Sequence, residues 1–117
     1  MEWTFTEDRP IWQQLTEQIT LRILKGVYLP GDKLPAVREL AAQAGVNPNT
    51  MQRALAQLES DGLAVGGRTA GRTVTEDREV IRAARETRAR AAVTACLELL
   101  SELGYSREDA FAFLKEE

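Results

Sequence analysis

The sequence has 117 residues, 44% of them hydrophobic and 28% charged, which is typical of one globular domain with a small appendage. It contains no histidine, so the commonest general base and metal ligand is missing, and its carboxylates show no spacing typical of a metal site. We therefore expect no catalytic residue, no metal and no cofactor. The single cysteine, Cys96, cannot form an internal disulfide, which fits a reducing compartment.

The chain has no apolar run of the roughly 20 residues that a membrane span requires, and its N-terminus lacks the layout of a signal peptide. We expect a cytoplasmic protein with no membrane partner. The net charge of −3 permits a DNA partner only if basic residues are concentrated on one face. Between residues 33 and 75 basic residues do outnumber acidic ones, and the acidic excess lies outside that stretch.

Apolar residues recur at helical spacing from Ile11 onward and predict a helix over about 10–25, ending near Gly26. Asp8 is placed as its N-cap, with Pro10 in the first turn. Upstream, aromatic residues alternate with polar ones over residues 3–5, which indicates a short strand or an extended arm.

Two further helices are predicted over about 36–44 and 48–60, and they are separated by a very short turn. Gly45 supplies the left-handed stop of the first, Asn47 is a good N-cap for the second, and Pro48 suits its first position. This is the pattern of a helix-turn-helix. Strands predicted over 63–65 and 72–74 enclose a glycine-rich tip and form a hairpin, which makes the unit a winged helix.

A long helix over about 78–103 and a short one over 107–115, whose start is a capping box of Ser106 and Asp109, complete the chain. Their apolar face is too broad for two helices to bury alone, so we expect a homodimer. The fold class is therefore mainly α with a small β-hairpin, with a winged helix-turn-helix domain over residues 1–75 and a helical dimerisation tail over 76–117. The expected dimerisation residues are Ile81, Ala84, Val93, Cys96, Leu97, Leu100, Phe111 and Leu114.

The start of the second helix of a helix-turn-helix reads base edges in the DNA major groove. Asparagine and glutamine pair with adenine there, and arginine pairs with guanine. The residues at this end of the predicted helix are of those types: Asn47, Asn49, Thr50, Gln52 and Arg53. On the preceding helix Arg38 is placed to contact a phosphate or a base, and at the hairpin tip Arg68 and Thr69 are placed to enter the minor groove.

Each of these assignments has a purely structural alternative. In that alternative Asn47 serves only as a cap, Gln52 and Arg53 form a solvated helix face, and Arg38 is a surface charge beside Glu39. The residue types alone do not separate the two interpretations.

The sequence resembles the GntR family of bacterial transcription regulators over about residues 1–75. The resemblance is carried by the stretches Pro10–Leu15, Gly26–Pro35, Arg38–Ala41, Asn47–Thr50, Arg53–Leu55 and Leu58–Leu63. The short two-helix tail is similar to that of the YtrA subfamily. The wing departs from the family pattern at two positions, with Ala70 in place of a bulkier residue and Thr73 in place of an aromatic one.

The resemblance implies a winged-helix dimer that binds a pseudo-palindromic operator in double-stranded DNA and acts mostly as a repressor, often of a transporter operon or of its own operon. It also implies DNA contacts at Arg38, Asn47, Asn49, Thr50, Gln52, Arg53, Arg68, Thr69 and Gly71. Larger relatives carry an effector domain that two helices cannot reproduce, so no effector is assigned. Two rival functions are a winged-helix module that binds protein without specific DNA binding and, less consistent with the composition, a small enzyme.

Overall fold

The computed structural model describes residues 2–67 and 71–117. These residues form five helices and one two-stranded antiparallel sheet, with the order α1 (Ile11–Leu24), α2 (Val37–Ala44), α3 (Pro48–Ser60), β1 (Ala64–Gly67), β2 (Gly71–Val74), α4 (Arg78–Glu102) and α5 (Arg107–Glu116). All predicted helices and both strands are confirmed, with ends that differ by no more than two residues. The chain divides into two compact units, Met1–Arg82 and Ala83–Glu117.

The core of the first unit lies between α1, α2 and α3. Leu15 and Ile19 of α1 are fully buried, as are Leu40 of α2 and Met51 and Leu55 of α3. Within α1 and within α3 these residues are four apart, so each helix presents one apolar stripe to the others. Burial of each such side chain away from water contributes about 1.5–3 kcal/mol to the free energy of folding. This packing fixes α3 with its opposite face outward.

The first turn of α4 belongs to this first unit. A Cβ added at Gly62 would lie 3.7 Å from Cγ1 of Val80, and the next residue, Ile81, is only 6% exposed. Ile81 is among the residues that the sequence assigns to the dimer interface. Because the chain itself already covers its side chain, we leave it out of the interface proposed below.

The N-terminal arm forms no strand but lies along α1. Thr4 exchanges two hydrogen bonds with the side chain of Gln18 (3.1 and 2.6 Å), and Thr6 does the same with Gln14 (2.8 and 2.9 Å). Two residues of extended chain span about 6–7 Å, nearly the same distance as four residues of helix. Every second residue of the arm therefore lies beside every fourth residue of α1. One turn further along, the guanidinium of Arg22 lies 3.6 Å from the ring centre of Trp3.

The predicted cap of α1 is wrong. Pro10 itself is the N-cap, with extended backbone angles and no side-chain hydrogen bond. The carboxylate of Asp8 instead accepts a hydrogen bond from the hydroxyl of Thr6, which holds the pKa of that carboxyl below its usual value. The helix begins one residue later than predicted because Pro10 is extended.

A third extended segment, residues 31–34, runs beside β2. Gly31 N–H donates to Val74 O (3.0 Å), Val74 N–H to Asp32 O (2.8 Å), and Leu34 N–H to Arg72 O (2.9 Å). The hairpin is therefore joined directly to the segment that leads into α2. This connection sets the position of the wing relative to the helix-turn-helix.

The second unit contains most of α4 together with α5. The capping box at the start of α5 is confirmed: Ser106 Oγ accepts from Asp109 N–H (3.2 Å), and the Asp109 carboxylate accepts from Ser106 N–H (2.8 Å). Tyr105 and Phe113 pack edge to face with ring centres 5.1 Å apart. Among the described helices of the whole chain, none has the length and apolar character needed to cross a membrane.

Candidate nucleic-acid interface

The turn between α2 and α3 is built by local signals in the sequence. Gly45 has a φ of +71°, which favours glycine, and Val46 N–H donates to Ala41 O (3.0 Å) to close α2. Asn47 is then the N-cap of α3, because its Oδ1 accepts a hydrogen bond from Asn49 N–H (2.7 Å), and Pro48 occupies the first helical position. The predicted capping role of Asn47 is confirmed. The residue is exposed, and its amide nitrogen takes no part in the cap.

The outer face of α3 is polar and exposed. Asn49, Gln52 and Arg53 are all exposed, and Thr50 is half-buried at the edge of this face. Residues three and four apart are neighbours on a helix, so these three side chains form one continuous surface. The structure thus brings together the main base-reading candidates. We call the surface formed by Asn49, Gln52 and Arg53 the reading face.

Arg53 has a partner that the sequence did not predict. Its guanidinium carbon lies 4.2 Å from the ring centre of Trp12, which is half-buried in the first turn of α1. A cation at this distance from an indole face is attracted by the negative face of the ring. From the sequence, Trp12 was predicted only as one of the apolar residues at helical spacing in α1. The contact between Trp12 and Arg53 depends on how α1 and α3 pack.

Arg38 lies exposed on α2, which packs against α3. Within the part of the chain that the structure describes, Arg38 forms no ion pair with Glu39 or any other carboxylate. An exposed Arg38 without an ion pair agrees both with a surface charge beside Glu39 and with a contact to DNA. Arg38 thus places an exposed guanidinium on the helix that packs against α3.

The predicted wing contacts fall partly outside the described residues, since Arg68 and Thr69 are not among them. Gly71 begins β2 with a φ of +76° and is exposed. That backbone conformation is rarely adopted by residues with a side chain, so a glycine is required here whatever the position contacts.

Two basic residues at the base of the wing were not predicted as site residues. Lys33 is bridged to Thr73 on β2, and with Arg72 and the start of α2 it lines a groove of about 340 Å³. Arg72 Nε donates a hydrogen bond to Glu59 Oε1 near the end of α3. The charge of Arg72 is thus balanced within the chain, whereas Lys33 is exposed and forms no ion pair among the described residues.

Comparisons with known proteins agree with this geometry. The family model of bacterial regulatory proteins of the gntR family matches residues 12–74. The protein described as an uncharacterized HTH-type transcriptional regulator, YhcF of Bacillus subtilis, is 34% identical over 115 residues, which are 98% of this chain and 95% of YhcF. The HTH-type transcriptional repressor YtrA of the same organism is 43% identical over 68 residues, 58% of this chain and 52% of YtrA.

A solved structure extends the likeness to the whole fold. A GntR family transcriptional regulator from Listeria monocytogenes superposes with a TM-score of 0.90 at 35% identity, covering 97% of this chain and 99% of that one. The expected winged-helix architecture and the likeness to YtrA are both confirmed. Members of this family are DNA-binding regulators and not enzymes, as the sequence predicted. The chain belongs to the GntR family of bacterial regulatory proteins and is a DNA-binding regulator of transcription.

Proposed function

We propose that this chain is a homodimeric repressor that binds a pseudo-palindromic operator, in front of its own operon or of a transporter operon. The observation that carries the proposal is the reading face, a polar surface at the start of α3 whose opposite side is fully buried. The relative YtrA, which is 43% identical to this chain over 68 residues, is described as a repressor. A regulator that binds chromosomal DNA acts in the cytoplasm.

Sequence is read by the reading face in this proposal. Asn49 and Gln52 each offer an amide that pairs bidentately with adenine, and Arg53 offers the fork that pairs with guanine. Asn47 and Thr50, together with the free backbone N–H groups at the start of α3, face phosphates. Asn47 and Thr50 are less suited to reading bases than the three residues of the reading face. The Oδ1 of Asn47 is already bonded in the helix cap, and Thr50 is half-buried.

Positive charge beside α3 supplies the attraction to phosphates. Arg38 contacts the DNA backbone or a base from α2, and Arg68, Thr69 and Gly71 contact the adjacent minor groove from the wing. A protein-binding module would present an apolar or aromatic face here, but α3 presents amide and guanidinium groups. DNA therefore explains this surface better than a protein partner does.

The second unit makes the dimer in this proposal. Val93, Phe111 and Leu114 are 58–67% exposed, and beside them an apolar groove of about 630 Å³ runs between α4 and α5. A second copy, related by a two-fold axis, would cover this surface and place two reading faces about one DNA turn apart. The residues assigned to the interface are Ala84, Val93, Cys96, Leu97, Leu100, Phe111 and Leu114.

In this proposal DNA binding is assigned to residues 1–75 and dimerisation to residues 76–117. Because residues 76–82 lie in the first compact unit, a truncation that removes the dimerising part should end after Arg82 and not after residue 75.

Selection of DNA from a random-sequence pool with the full chain tests this function. We expect enrichment of one sequence with two-fold symmetry, its half-sites one helical turn or a multiple of it apart. The same sequence is expected in the DNA upstream of the chain's own operon or of a transporter operon, and it should be protected there in a footprint. A pool that shows no enriched sequence after repeated rounds would contradict specific DNA binding.

A further inference from the structure

We propose that Trp12 is a positioning residue for DNA recognition: its indole holds the guanidinium of Arg53 in the orientation that reads DNA. The inference rests on the proposed function, in which Arg53 contacts a base. It assigns to α1 a direct part in setting sequence preference, in addition to its part in the core.

A single buried hydroxyl fixes the two helices next to this contact. Thr16 is 7% exposed, and its Oγ1 lies 2.9 Å from the carbonyl oxygen of Trp12 and 3.3 Å from that of Ala54. It therefore joins the backbone of the residue that carries the indole to the residue that follows Arg53. Together with the packing of α1 against α3, this contact holds the two backbones close where the ring and the guanidinium meet.

The stack holds the arginine without neutralising it. In the described residues no carboxylate is paired with Arg53, whose guanidinium is exposed above the half-buried indole. A carboxylate in the place of the indole would fix the side chain equally well but would cancel its charge and repel phosphates. An aromatic face leaves both the charge and the N–H edges of the guanidinium available to a base.

The second arginine–tryptophan stack of the chain shows the contrasting case. Arg22 lies 3.6 Å from the ring centre of Trp3, but it is 3% exposed and also donates to the carbonyl oxygens of Gln18 (3.1 Å) and Glu2 (3.4 Å). Burial lowers the pKa of this guanidinium. Its N–H groups are used inside the protein, one on the backbone of α1 and one on the N-terminal arm. Trp3→Leu is therefore the matched control for Trp12→Leu.

The test is a double-mutant cycle with the full chain on the duplex enriched by selection and on a scrambled duplex at the same salt concentration. Trp12→Leu should weaken binding to the enriched duplex by about three- to tenfold, since the arginine must then be ordered on binding, and leave binding to the scrambled duplex almost unchanged. Trp12→Phe should restore most of the loss. In the Arg53→Ala background, Trp12→Leu should cost nothing further.

A readout on the free protein tests the stack independently of DNA. The chain has two tryptophans, so in a Trp3→Phe background the fluorescence reports Trp12 alone. Arg53→Ala should change that emission, whereas Gln52→Ala, one residue away on the same exposed face, should not. Emission that is the same with and without Arg53 would overturn the proposed contact.

Failure of the positioning inference is distinguishable from failure of the proposed function. If the wild-type chain prefers its duplex but the losses from Trp12→Leu and Arg53→Ala add, the two residues act independently and the inference is overturned. Tighter binding by Trp12→Leu would likewise overturn it, because the indole would then hold the arginine away from DNA. If the wild-type chain prefers no duplex, both proposals are overturned. Trp3→Leu should leave the preference unchanged.

Discussion

The carboxylate of Glu59, near the end of α3, accepts a hydrogen bond from Nε of Arg72 in the middle of β2. The pair is partly buried, with side chains 36% and 18% exposed, respectively. Gly66 faces Arg72 across the hairpin, and a Cβ there would lie 2.7 Å from the same carboxylate oxygen. The carboxylate therefore lies across both strands of the wing and ties them to the helix that carries the reading face.

Glu59→Gln is expected to lower the free energy of unfolding by about 1 kcal/mol, because the carboxylate partner of Arg72 in a partly buried ion pair is replaced by a neutral amide, which accepts a weaker hydrogen bond. Chemical denaturation measures the change. Glu79→Gln is the control, since its ion pair with Arg82 has side chains 70% and 55% exposed and should change stability by less than about 0.5 kcal/mol. Equal losses in the two variants would contradict a special role for Glu59.

Gly66→Ala is expected to displace the Glu59 carboxylate and to cost about as much as Glu59→Gln, roughly 1 kcal/mol. The reason is the close approach of the added Cβ to Glu59, since the backbone at Gly66 is not in the left-handed region. In a Glu59→Ala background the clash is gone, so Gly66→Ala should then be nearly neutral. Additive losses in the double variant would show that Gly66 is required for another reason.

Asn47 allows its capping role to be separated from DNA contact. Asn47→Ala removes the acceptor for Asn49 N–H and should lower the free energy of unfolding by about 1 kcal/mol. Asn47→Asp keeps an oxygen acceptor in the same place and should be as stable as the wild type within about 0.5 kcal/mol. Its negative charge should nevertheless weaken operator binding at least tenfold, by repulsion from phosphates. If Asn47→Asp bound the operator with wild-type affinity, Asn47 would act only as a helix cap and not as a DNA contact.

The apolar surface of the second unit is expected to hold the dimer together. Phe111 and Leu114 are 58% and 67% exposed, so glutamate at either position is tolerated by the single chain but not by an apolar interface. The double variant Phe111→Glu, Leu114→Glu should sediment as a monomer and lose operator affinity. Leu29→Glu, at an apolar residue 54% exposed in the first unit, is the control and should remain dimeric. If both variants were dimeric, the apolar surface of the second unit would not be the dimer interface.

The local features of this fold were predictable from the sequence because their signals are local. Gly45, Asn47 and Pro48 encode the turn of the helix-turn-helix within a few residues, and Ser106 with Asp109 encodes the start of α5. The reading face follows directly, since burying one stripe of α3 leaves the other exposed.

Contacts between distant elements were not predictable in the same way. The stack of Arg53 on Trp12 depends on how α1 and α3 pack, and the pair of Glu59 with Arg72 depends on the position of the wing. Neither has a periodic signature. The burial of Ile81 was missed because helical spacing identifies an apolar face without identifying which neighbour covers it.

The most direct test of DNA reading by α3 is a salt titration of binding to the selected duplex and to a scrambled duplex of equal length. Both affinities should fall steeply as salt rises, with a slope of about −0.9 per phosphate contact, because the phosphate contacts are common to both duplexes. At moderate salt the selected duplex should still bind at least about a thousandfold more tightly. Equal affinity for the two duplexes at every salt concentration would contradict sequence-specific recognition by the reading face.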